Sequence, residues 1–190
     1  LLLDAPEPAT LARALAFCTR PPVLNLATAE PARLLPLLEL AQVHGLGLVA
    51  ATMTATVPPT CEERLALASL IVAEADRRGI ARQRLILDPM VMPLGLPAGE
   101  AHAGAVLAFL RQLPLVFDPR PRTLLALSNL TTRTAGAETG FAAAPFLAAA
   151  FGAGLDIALV NVLDPGLRPL LRLLPVLDGE RIFAPAEHRA

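Results

Sequence analysis

The chain has 190 residues, 54% of them hydrophobic, and a formal net charge of -1. That length supports one domain with a substantial core, and near-neutral charge gives no electrostatic footing for nucleic acid or an anionic membrane. All sixteen basic residues are Arg, and Lys, Trp and Tyr are absent, which excludes Schiff-base lysine chemistry and a phosphate-loop lysine and weighs against base-stacking platforms for single-stranded nucleic acid.

Short apolar runs alternate with longer helical patterns along the whole chain. LLLD (1–4) reads as a strand, followed by a helix near 8–17. PVLNL (22–26) is a second strand, followed by a helix near 31–43 that Pro36 is placed to kink. Gly45 ends that helix, and LGLVAATM (46–53) is the third strand. The longest helix, near 60–78, is opened by a capping box of Thr60 and Glu63 and ended by Gly79. RLILD (84–88) is the fourth strand, followed by a helix near 99–112, and LPLVFDPRPR (113–122) reads as a loop insert. TLLALSN (123–129) is the fifth strand, followed by a helix near 139–153. DIALVN (156–161) is the sixth, followed by a short helix near 166–173 and an irregular tail from about 175.

Six βα units with nearly continuous apolar strands predict an α/β fold on a parallel sheet buried on both faces. A complete (β/α)8 TIM barrel has eight such units and typically ~250 residues. The expectation is therefore one barrel domain over 1–190 that lacks its first two βα units, with sticky edges on its first and last strands. The alternative, an open doubly wound sheet, would want a glycine-rich phosphate turn after its first strand, where LLLDAPEP stands instead.

No apolar run reaches the ~18–20 residues of a membrane span, and no basic segment leads into a signal cleavage site. Two cysteines without zinc spacing read as free thiols of a cytoplasmic protein. Cys61, just inside a helix start, is a candidate reactive thiol, although nothing nearby asks for a nucleophile.

Four polar residues each close an apolar run: Asp4 after LLL, Asn25 after VL, Asp88 after LIL and Asn129 after LLALS. In a barrel the strand C-termini share one mouth, so these residues converge there. A carboxylate such as Asp88 can accept paired N–H donors of a ligand with a 2-amino-pyrimidinone edge; an Asp before Pro also caps a turn. Asp4 and Asn25 share that geometry on adjacent strands, and Asn25 offers both acceptor and donors to a ring with mixed edges. Strand-end Asp and Asn also start turns. Asn129, after Ser128, cannot titrate, so any catalytic part would lie in stabilising developing charge. His44, His102 and His188 lie off the strand ends without metal-ligand spacing, so neither a metal site nor a catalytic histidine is expected. Met53, Met90 and Met92 either line a ring slot or pack the core.

The stretches LLLDAPEPATLARAL, PPVLNLATAE, LGLVAATM, PPTCEERLALASLIVAEADRRGI, LILDPMVMPLG, LALSNLT and FLAAAFGAGLDIALVN resemble, in order and spacing, the pterin-binding barrel family. The closest branch is the methyltetrahydrofolate:corrinoid methyltransferases. The DPMVMPLG and LSN stretches are the specific ones; the related dihydropteroate synthases carry a glycine-rich DPG turn and a lysine that this chain lacks. The resemblance implies that Asp4, Asn25 and Asp88, with Ser128, hold the pterin, and that Asn129 hydrogen-bonds at N5. It implies tetrahydrofolate as methyl-donor substrate, a corrinoid (cobalamin) on a separate partner protein as acceptor, and a homodimer. The chain departs from the family after LSN, where TTRTAGAETGFAAAPFL carries Arg133 but no Leu-Asn pair, and after Met53, where Thr54 and Ala55 replace an acidic residue. Two other readings stay open: a dihydropteroate synthase-like condensing enzyme, and a non-catalytic pterin-binding scaffold subunit.

Overall fold

The computed structural model describes residues 1–131, 138–177 and 179; Arg133, His188 and the end of the tail lie outside them. The six apolar runs become strands β1 (Leu2–Asp4), β2 (Val23–Thr28), β3 (Gly47–Ala51), β4 (Leu85–Asp88), β5 (Arg122–Ala126) and β6 (Ile157–Leu159). Every neighbouring pair is parallel, and the sheet order is the chain order. A doubly wound sheet reverses its winding at a switch point; this one never does, so it forms a curled half-barrel.

Side-chain alternation sorts each strand onto two faces. Leu24, Leu48, Ala50, Leu85, Leu87 and Leu125 pack outward into the main core with residues of the surrounding helices. The helices are α1 (Pro8–Leu15), α2 (Pro31–His44), α3 (Cys61–Arg77), α4 (Gly99–Val116), α5 (Ser128–Thr131), α6 (Glu138–Gly152) and α7 (Arg168–Leu177). The opposite, concave face carries a second cluster of Val49, Ile86 and Leu124, flanked by Leu2, Val23, Leu26 and Ile157. One extra residue in β2 between Leu24 and Ala27 shifts the register, so that both Val23 and Leu26 join the concave cluster.

Local chemistry sets the helix ends. Thr60 Oγ1 accepts the Glu63 N–H at 3.2 Å, and the Glu63 carboxylate accepts the Thr60 N–H at 3.3 Å, completing the capping box of α3. Gly45, at φ 63°, closes α2 in the left-handed region. The helix runs on through Pro36, where the missing N–H forfeits one i−4 bond.

Two sequence expectations are corrected. Residues 113–116 belong to α4 rather than a loop, because Phe109, Leu110 and Leu113 continue its buried stripe. The irregular tail begins later than 175, since α7 reaches Leu177. At the N-terminal end of the sheet, Arg120 pairs with both oxygens of Asp156 at 2.6 and 2.8 Å, and the Thr123 N–H and hydroxyl donate to the same carboxylate. Burial alone would raise the Asp156 pKa, but these bonds together hold it below the usual value. They lock the start of β5 to β6 at the end of the sheet opposite the mouth.

Candidate functional site

The concave face is built in layers. Leu2, Val23, Val49, Ile86, Leu124 and Ile157 form an apolar floor. Two residues further along their strands, on the same face and roughly 6–7 Å nearer the mouth, stand Asp4, Ala51, Asp88, Ala126 and Leu159. The small Ala51 and Ala126 leave room in this layer. Asn25 lies within the register shift of β2, between the floor residues Val23 and Leu26, and Thr28 is the β2 residue in register with Ala51 and, through it, Asp88. Asp4 and Asn25 are direct register partners. Burial deepens from exposed Asp4 through half-buried Asn25 to buried Asp88.

Asn25 is not the end of its strand, as expected, because β2 continues to Thr28 after the register shift. Thr28 occupies the strand end, and its buried hydroxyl oxygen has no hydrogen-bond partner among the described residues. Nothing in the local sequence separates Thr28 from a core threonine, so the sequence offered no signal for it.

Asp88 closes β4 with only 4% of its surface exposed. Its Oδ1 accepts the Met90 N–H at 2.8 Å. Burial pushes the carboxyl up to about 7, against the opposing pull of the Met90 N–H and the Arg64 guanidinium. Met90 reaches this bond at φ 57°, a left-handed conformation costly for a side chain of this size. Arg64 itself is fully buried. Sequence reasoning passed over it, yet a signal existed: it falls on the stripe of Cys61, Ala68, Ile71, Val72 and Ala75 that α3 buries, and a charge on a buried stripe requires partners.

Ser128 and Asn129 do not extend β5, which stops at Ala126; they open the short helix α5. Ser128 is exposed and Asn129 half-buried. The Leu94 N–H donates to the Leu130 carbonyl at 3.1 Å, so the turn that follows Asp88 is tied to the helix that carries Asn129. Beside it lies a cavity of about 130 Å³ lined by Ser128, Thr131, Asn161 and Asp164 over Leu127 and Leu167. Met53, Met90 and Met92 are all half-buried near the strand ends.

Cys61 is not an activated thiol: it starts α3 as expected, but burial and the neighbouring Glu62 push its pKa up. Among the described residues no three His, Cys, Asp or Glu side chains gather as a metal ligand set, and no helix is long and apolar enough to cross a membrane.

Six parallel strands in chain order, a layered concave face and polar residues at the strand C-termini define a TIM-barrel-like α/β fold. The fold is similar to that of a dihydropteroate synthase from Stenotrophomonas maltophilia, solved with imidazole in its active site. The likeness has a TM-score of 0.57 at 17% identity, and covers 93% of this chain and 76% of that one. No protein-family model matches the chain.

Proposed function

We propose that this chain is a pterin-binding barrel that transfers the N5 methyl group of 5-methyltetrahydrofolate to the Co(I) centre of a corrinoid protein. The observation that carries the reading is the set of polar residues Asp4, Asn25 and Asp88 along the apolar concave face, on a fold shared with a dihydropteroate synthase. A flat, mostly neutral heterocycle with donors and acceptors on its rim suits those residues. Its two faces would meet apolar surface and the gaps at Ala51 and Ala126. Its amino and ring N–H groups would pair with the Asp88 carboxylate, and its mixed edge with Asn25 and Asp4.

In the proposed step the N5–methyl bond breaks, its electron pair stays on N5, and the methyl passes to the electron pair of Co(I) on the partner protein. N5 must gain positive character before the methyl leaves. The role of Asn129 is to hydrogen-bond at N5 and stabilise that charge, while Ser128 contacts the ligand beside it. An amide supplies no proton, so the proton at N5 comes from solvent through the open mouth. The enzyme would act in the cytoplasm, in one-carbon metabolism, as a homodimer with the corrinoid protein docking at the mouth.

The fold likeness also favours a second reading, condensation of a pterin pyrophosphate with para-aminobenzoate, as in a dihydropteroate synthase. The absence of Lys and the DPM turn weigh against it. An optical assay of Co(I) consumption with methyltetrahydrofolate and a reduced corrinoid protein tests the choice. Methyl transfer that Asn129→Ala slows by about tenfold or more supports the first reading. Condensation activity without methyl transfer would replace it with the second.

A further inference from the structure

Arg64 and Asp88 are the two charged side chains buried among the described residues. A guanidinium withdrawn from water is tolerated only when its donors are met, and Arg64 spends its donors on three separate pieces of the mouth. Its Nε donates to the Pro58 carbonyl at 3.0 Å, ahead of α3. Its Nη1 donates to the Pro89 and Met90 carbonyls at 2.7 and 3.2 Å. Its Nη2 lies 2.8 Å from His102 Nδ1 on α4. Because guanidinium nitrogens only donate, His102 Nδ1 must be the acceptor, which fixes a neutral imidazole protonated at Nε2. Burial, and then the Arg64 charge, both disfavour the imidazolium.

Pro89 and Met90 directly follow Asp88. The Met90 N–H points at Asp88 Oδ1 while its carbonyl is held by Arg64, so Arg64 grips the other end of the residue that orients the carboxylate. Among the described residues, α3 brings the charge of Arg64 to bear on Asp88; Thr52, just past β3, directs its N–H and hydroxyl at the Asp88 carbonyl; and α4 brings His102, hydrogen-bonded to Arg64.

We propose that Arg64, braced by His102, is the positioning residue of this site: it locks the turn after β4 so that Asp88 Oδ1 accepts the Met90 N–H while the carboxylate is held to face paired N–H donors of a planar amidine-like ligand edge. The choice of ligand rests on the pterin reading; the positioning does not.

The test uses the intact chain and two local readouts by NMR: the carboxyl titration of Asp88 and hydrogen exchange at the Met90 amide, with the Leu87 amide as an internal control. In Arg64→Met the Asp88 midpoint rises by about one pH unit or more, because the opposing charge is gone. In Arg64→Lys, which keeps charge but cannot span the same acceptors, Met90 exchange accelerates by about tenfold while Leu87 does not change. If the Arg64 variants do not fold, the His102 pair decides: His102→Leu accelerates Met90 exchange, and His102→Gln, which retains an acceptor, restores it. An unmoved Asp88 midpoint in folded Arg64→Met, or identical Met90 exchange in the two His102 variants, overturns the proposal. Titration with methyltetrahydrofolate separates the two claims. Altered Asp88 behaviour in a chain without folate affinity would leave Arg64's role standing and remove the pterin reading.

Discussion

At the level of single side chains, burial works against the charge on Asp88 and in favour of whatever ligand comes to share it. The folded carboxyl titrates at about 7, above its unfolded value, so the folded state binds the proton more tightly. The stability this lends is fully present below the unfolded pKa near 4 and is lost as pH rises through about 7. Asp88→Asn should therefore match the native chain near pH 4 and exceed it near pH 8 by roughly 2–4 kcal/mol, read by urea unfolding at both values. A variant less stable than the native chain near pH 8 would contradict this account of Asp88. Asp88 and Asp4 were legible from the sequence because each follows an unbroken apolar run. Arg64 was legible in principle but needed the helical phase of α3, and the place of Thr28 at the end of β2 depends on a register shift that no local pattern announces.

Among the elements, the segment from Asp88 to the start of α4 carries the most constraint. Met90 and Ala98 both have positive φ without being glycine, at 57° and 61°. At Gly99 a Cβ would overlap the Pro93 carbonyl oxygen and come within 2.9 Å of the Leu94 backbone. Backbone on both sides cannot yield cheaply, so Gly99→Ala should cost about 1–3 kcal/mol and weaken ligand binding through the displaced turn. A melting temperature equal to that of the native chain would show that the segment adapts freely. By contrast, Thr60→Ala removes only the cap of α3; unfolding should register a loss of about 1 kcal/mol, with ligand affinity unchanged. The α3 cap and the Gly45 stop were readable because a few neighbouring residues decide them. The 113–116 segment was misread because Pro114 and the nearby DPRPR suggested a loop, while Leu110 and Leu113 were already continuing the buried face of α4. The end of β5 was placed too late for a related reason: Leu127 and Leu130 are buried, but as parts of a turn and short helix, and burial alone does not distinguish these from strand.

Over the whole molecule, the alternation of apolar strands and helices was enough to foresee a parallel α/β sheet, since a strand buried on both faces leaves a nearly continuous apolar run. Strand order is a long-range property, and it took the structure to exclude the doubly wound alternative. The alignment is likewise invisible until the strands are paired: only then do Asp4 and Asp88 fall two residues beyond the floor residues Leu2 and Ile86, with Asn25 beside Asp4. The central claim is that these residues hold a pterin. Calorimetric titration of the chain with methyltetrahydrofolate, alongside Asp88→Ala and Asn25→Ala, tests it most directly. The account predicts saturable binding to the native chain that Asp88→Ala abolishes and Asn25→Ala weakens by about tenfold. No heat of binding to the folded native chain, or equal affinity in all three, would contradict it.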